Sequence, residues 1–246
     1  ELLSLNVNKN LLTKLDLSKN LNLKQLICIG GKTSTFDSKT HYLSRLNLSQ
    51  NNNLQLLNCS NNELKDLFLS ANSSLEELDC SKNQLDNLNL SNNRHLKSLI
   101  CINNVITHLD LSQCIALEKI VCHDNRLKYL DVSHNIALKY LNCRGYIGSA
   151  PGLSQGEWVP WYCIHSLDIS NNTYLEYLDC SKNLIEHLDI SKNKTLSTLY
   201  CKANKLVNLD VSQNKALTYL NCNAGVLVNL DVNQNKSLEV SHKKNW

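Results

Sequence analysis

Proline and glycine are scarce in this sequence: 246 residues hold two prolines and seven glycines, and both prolines lie in a single stretch with four of those glycines. No apolar run approaches the roughly 18 residues that a membrane-spanning helix needs, so no membrane insertion is expected. The formal charge is only +3, and the lysines are scattered (Lys19, Lys82, Lys182, Lys192). Nucleic acid wants a concentrated basic face, so it is not an expected partner. The chain contains no C-x-x-C, no P-loop and no phosphate-binding glycine fingerprint. The glycine–aspartate loop grammar of calcium-binding β-rolls is also missing. No cofactor and no resident metal is implied, and nothing reads as an enzyme.

What is present is a period. A cysteine returns every 21 residues at Cys59, Cys80, Cys101, Cys122 and Cys143, and again at Cys180, Cys201 and Cys222. Each sits in the phrase LxxLxCxxNxL, as in LEELDCSKNQL from Leu75 to Leu85. A second phrase, LxxLxLSxN, alternates with it, as in LDNLNLSNN from Leu85 to Asn93. A fixed period near 20 residues marks a solenoid, and this leucine spacing selects the leucine-rich repeat. Twenty-one residues leave room for a short strand and tight turns but not for a long helix. The expected fold is a β-rich, right-handed leucine-rich-repeat superhelix of about ten coils, with parallel strands and little helix.

Residues 1–246 read as one such domain, broken by insertions at 30–42 and 145–163. The chain opens on Glu1-Leu2-Leu3, already inside a repeat, and solenoid ends need polar caps. Caps are therefore expected to be minimal or removed, with upstream residues missing, and the molecule is expected to be a monomer.

Eleven cysteines suggest disulfides only at first sight. Coils stacked about 4.8 Å apart bring equivalent Cα atoms within disulfide range, but their Cβ vectors run parallel and do not converge. The nine from Cys28 to Cys222 at the repeat position are expected to be reduced, packed and unreactive, with bridging or metal capture as the alternative. The turn asparagines (Asn20, Asn51, Asn72, Asn93, Asn135, Asn172, Asn193, Asn214, Asn235) have a structural reading. A buried amide can bond the free backbone groups of its own coil and the next. Cys114 stands where one asparagine belongs.

Both insertions leave the coil just after the cysteine strand, ten residues longer than the normal step in the first and sixteen in the second. They therefore emerge on one edge, and insertions in repeat proteins often map to the binding face. The second holds Trp158 and Trp161, with Tyr146 and Tyr162 beside them. Exposed tryptophan and tyrosine suit binding hot spots, although the same residues also serve to cover a hydrophobic seam.

Aspartate recurs before the inner leucine of the serine phrase, at Asp16, Asp110, Asp131, Asp168, Asp189, Asp210 and Asp231, with Asn47, Phe68 and Asn89 completing the column. Paired carboxylates are what glycosidases use. In a solenoid any two neighbours reach that separation, so the expected role is a solvated, hydrogen-bonded structural column. A glycan-processing enzyme working through Asp168 and Asp189 is the rival reading. His165 and His187 beside those aspartates are the nearest approach to a metal site.

The outward positions of the cysteine phrase vary far more. One column reads Gln25, Leu56, Glu77, Ser98, Lys119, Tyr140, Tyr177, Thr198, Tyr219, and Tyr200 stands in the neighbouring one. Variable residues with exposed aromatics are what a recognition surface needs. The candidate binding set is Tyr140, Tyr146, Trp158, Trp161, Tyr162, Tyr177, Tyr200 and Tyr219, with loop and sheet expected to meet.

The unit LxxLxCSxNxLxxLDLSxNxxL, from about residue 2 to 240, resembles the 21-residue cysteine-ladder repeats of the listerial internalins. Similar repeats occur in exported proteins of Bacteroidetes and related bacteria. The resemblance implies a curved solenoid with a thiol column in its core. It also implies cell-surface or secreted location and adhesion to a host or partner protein or glycan. The two insertions, Cys114, and Gly225 in place of a turn asparagine depart from the pattern. The leading expectation is a non-catalytic binding or adhesion module.

Overall fold

The computed structural model of the chain describes residues 1–8, 10–31, 42–145, 162–223 and 226–238. Ten three-residue strands follow in order: β1 (Ser4–Asn6), β2 (Gln25–Ile27), β3 (Leu56–Asn58), β4 (Glu77–Asp79), β5 (Ser98–Ile100), β6 (Lys119–Val121), β7 (Tyr140–Asn142), β8 (Tyr177–Asp179), β9 (Thr198–Tyr200) and β10 (Tyr219–Asn221). They form one parallel sheet in chain order. Among the described residues there is no α-helix. This is the expected parallel leucine-rich-repeat solenoid, one strand to a coil.

Register follows the repeat, with Leu57 opposite Leu78 and Leu78 opposite Leu99. It holds across both insertions, where Gln25 pairs with Leu56 and Tyr140 with Tyr177. Each coil closes on its own inward residues: in one, Leu75, Leu78, Cys80, Leu85, Leu88 and Leu90 are all buried. Each such leucine contributes about 1.5–3 kcal/mol by leaving water. The cysteine is the smaller member of the set, and a thiol fits a position too tight for leucine. All eleven cysteines are free and buried. Burial raises every one of their thiol pKa values, to about 12 at Cys28 and Cys122 and about 11 at Cys114.

Two asparagine ladders hold the turns. At the end of the serine phrase, Asn72 Nδ2 donates to the carbonyls of Leu48 (3.2 Å) and Asn51 (2.9 Å), both one coil back. The same pair of bonds recurs at Asn93, Asn135, Asn172, Asn193, Asn214 and Asn235. After the cysteine, Asn83 Nδ2 donates to the Cys80 and Cys59 carbonyls, and its Oδ1 accepts from Leu64 N–H. Asn62, Asn104, Asn125, Asn183 and Asn204 repeat this arrangement. Backbone groups that a tight turn would strand in the core are thereby paired.

In six coils the step out of the strand is a left-handed residue two places after the cysteine: Asn61, Lys82, Asn103, Asp124, Lys182 and Ala203 have φ between 53° and 59°. At the two coils that carry insertions this place is Gly30 or Gly145. A Cβ there would stand 1.8 Å from the carbonyl oxygen of Asn61 or Lys182 in the next coil. The chain departs from the coil at the same point in both cases, and only glycine fits.

Candidate recognition surface

The aspartate column has a positive structural explanation. Asp16, Asp110, Asp131, Asp168, Asp189, Asp210 and Asp231 each accept, through Oδ1, the backbone N–H two residues on, at 2.8–3.0 Å. Asn47 and Asn89 do the same at 3.1 and 3.0 Å. This is the Asx turn, in which a short side chain caps its own backbone. The bond to the backbone N–H holds the carboxyls of Asp16, Asp110, Asp168, Asp189 and Asp210 below the ordinary aspartate range. A depressed, capped carboxylate is a poor general acid. No cluster of three or more His, Cys, Asp or Glu side chains suited to a metal occurs among the described residues, where His165 and His187 also lie.

On the sheet the tyrosines come together. Tyr140 and Tyr177 stack with ring centroids 4.1 Å apart and planes 4° from parallel. Tyr200 follows at 5.9 Å from Tyr177, and Tyr219 at 4.7 Å from Tyr200. The row crosses β7 to β10, switching column at β9, where Thr198 holds the tyrosine position and Tyr200 leans in from the next one. The Lys119 ammonium lies 5.5 Å from the Tyr140 centroid, over the ring. Burial, followed by a hydroxyl contact with Tyr140, raises the Tyr177 pKa, and burial with a contact to Tyr219 raises that of Tyr200. Both therefore stay protonated donors. Asp179, buried between Asn142 and Tyr200 in register, adds an acceptor within this row and caps Ser181 N–H.

The geometry decides what the row offers. A ring stacked on its neighbour has that face covered, and the other face of Tyr140 carries Lys119. The half-buried ring edges of the row remain in reach of solvent. Such a surface makes directional hydrogen bonds and edge contacts, whereas a flat sugar-stacking platform needs free ring faces.

Tyr162 takes a different place, at the turn edge of the coil. Its ring lies 5.4 Å from the Arg126 guanidinium and borders Gly145 and Asn183. Near it His123 Nδ1 and Arg144 both reach Asp124 Oδ2, at 2.8 and 3.4 Å. His123 and Arg144 both follow the repeat cysteine, 21 residues apart, but that column is not uniform in charge and does not announce the cluster. Tyr146, Trp158 and Trp161, expected to meet the sheet, lie outside the described residues.

Ten parallel strands, one per 21-residue coil, with leucines and a thiol column inside, define a leucine-rich-repeat protein of the cysteine-ladder kind. Among solved structures the chain is similar to the functional domain of InlJ from Listeria monocytogenes, which includes a cysteine ladder. The identity is 32% and the TM-score 0.83, over 96% of this chain and 47% of that one. The chain thus spans about half of that structure. It shares its fold with a leucine-rich-repeat protein of Leptospira interrogans at 22% identity, TM-score 0.76, over 97% of this chain and 59% of that one. An internalin, InlF, from Listeria monocytogenes also has the fold, at 17% identity and TM-score 0.67, with 91% and 68% covered. No family model matches the sequence, and no curated protein matches it. No helix among the described residues is long and apolar enough to cross a membrane.

Proposed function

We propose that the chain is a non-catalytic recognition module of a bacterial surface or secreted protein, and that it binds a partner protein on the β7–β10 end of its sheet. One observation carries this reading: the half-buried rings of Tyr140, Tyr177, Tyr200 and Tyr219 form a continuous row across four strands. Rigid aromatic residues give contact area at low ordering cost, and tyrosine is over-represented at interface hot spots. The likeness to InlJ supports surface display and adhesion. The Asx turns of the aspartate column leave the glycan-processing alternative without a supporting feature.

The test uses immobilised wild type and the Tyr177→Ala/Tyr200→Ala variant, probed with host surface proteins before and after enzymatic deglycosylation. Binding that survives deglycosylation and weakens at least tenfold in the variant is expected. Binding that disappears with the glycans, or that ignores the variant, would refute the assignment.

A further inference from the structure

The Asx column of the serine phrase is complete in nine of ten coils and broken at Phe68. Phenylalanine has no oxygen to hold the N–H two residues on, and here its ring gains nothing by packing. Phe68 is 76% exposed, the most exposed large hydrophobic side chain among the described residues. A residue that breaks its local rule without a packing return marks a functional position. Phe68 lies between β3 and β4, outside the strands, whereas the tyrosine row is on β7 to β10.

Two further observations meet there. A cavity of about 720 Å³ opens against the ring, a volume typical of small-ligand sites. Its rim carries Asn47, Gln84 and Ser70, together with Arg45 and Lys65 on one side of the charge balance and Glu63 and Asp66 on the other. In addition, the column's neighbours of Phe68 are Asn47 and Asn89 instead of aspartate. Asparagine keeps the turn bond through Oδ1, removes the negative charge, and leaves an Nδ2 donor.

A single free ring face, amide and hydroxyl groups around it, and no net charge match a ligand with one apolar face and a hydroxyl periphery. We propose that this recess binds a neutral pyranose of a saccharide, its C–H face on Phe68 and its hydroxyls on Asn47, Gln84 and Ser70. A planar heteroaromatic ligand would want a second aromatic wall, and among the described residues none lines the cavity. This site is independent of the tyrosine row and takes a different ligand.

Saturation-transfer difference NMR on the full chain tests it, with lactose, cellobiose and N,N′-diacetylchitobiose as probes at millimolar concentration. Transfer to the ring C–H protons of at least one disaccharide is expected, weakened at least tenfold by Phe68→Ala and by Phe68→Asp. Phe68→Asp restores the Asx acceptor, so its melting temperature should equal or exceed that of wild type while binding falls. Tyr177→Ala should leave sugar binding intact. Absence of transfer with wild type would overturn the proposal, as would transfer that persists in both Phe68 variants or that vanishes in Tyr177→Ala instead.

Discussion

Asn135 Nδ2 donates to the backbone carbonyl of Cys114 at 2.8 Å, one coil back, but Cys114 has no amide with which to continue the ladder to Asn93. Its thiol makes only a contact of 3.6 Å to the Leu90 carbonyl. Cys114→Asn should therefore restore two bonds, to Leu90 and Asn93. At about 1 kcal/mol per net hydrogen bond, less the lost apolar burial of the thiol, a gain of about 1 kcal/mol is expected. Asn135→Ala removes two donors from buried carbonyls and should cost about 2–4 kcal/mol. Urea unfolding measures both, and a destabilised Cys114→Asn would mean that the position is too tight for an amide.

Gly145 predicts a steeper effect. An added Cβ would stand 1.8 Å from Lys182 O, a backbone atom that can move only if the coils separate. Gly145→Ala, and Gly30→Ala against Asn61 O, should each cost at least about 2 kcal/mol by overpacking. Serine at the same places should be as harmful. Unchanged unfolding midpoints would show that the insertions leave the coil by another path.

Much of this architecture was legible in the sequence because a solenoid writes each contact once per coil. The leucines, Cys59 through Cys222, and the Asn72-type rungs all announce themselves by recurrence. The left-handed step did not, because Lys82, Lys182 and Ala203 occupy it and none signals positive φ. Gly30 and Gly145 stand at the same place in the two interrupted coils for lack of room beside the next coil's carbonyl, so they do not announce the left-handed step either. The tyrosine row was readable from columns, yet Tyr200 joins it from the wrong column by side-chain reach alone. Phe68 was visible as an exception, but its cavity depends on neighbours from three coils, which no single repeat displays.

The thiol column makes stability fall on the alkaline side. Burial holds the thiol pKa values of Cys28 and Cys122 up at about 12, against roughly 8.5 in an unfolded chain. For a group raised in the folded state, the stabilisation is fully present below the unfolded pKa. It is lost as pH rises from there toward the folded value. Each such thiol costs about 1.4 kcal/mol per pH unit in that window, and all eleven are raised in the same direction. A sharp unfolding transition is expected above about pH 9, with thiolate absorbance appearing in the same step. Native-state labelling by a thiol reagent should be slow at neutral pH for the same reason. Thiolate forming gradually while the β signal persists would contradict this account of the core.

Ala203 gives the most direct measure of strain in the turns. It adopts φ 53°, where an L-residue other than glycine costs about 1–2 kcal/mol. Asparagine and aspartate tolerate that region better, which suits Asn61, Asn103 and Asp124. Ala203 is exposed, so its methyl group contributes little packing. Ala203→Gly removes the strain but gives the unfolded chain more freedom, worth about 0.5–1 kcal/mol against it. The expected balance is a gain of up to about 1 kcal/mol, whereas Asn103→Gly should change little. Denaturant midpoints of the two variants, compared with wild type, decide it. If Ala203→Gly melts lower while Asn103→Gly is neutral, the alanine is held there by contacts that outweigh its backbone strain.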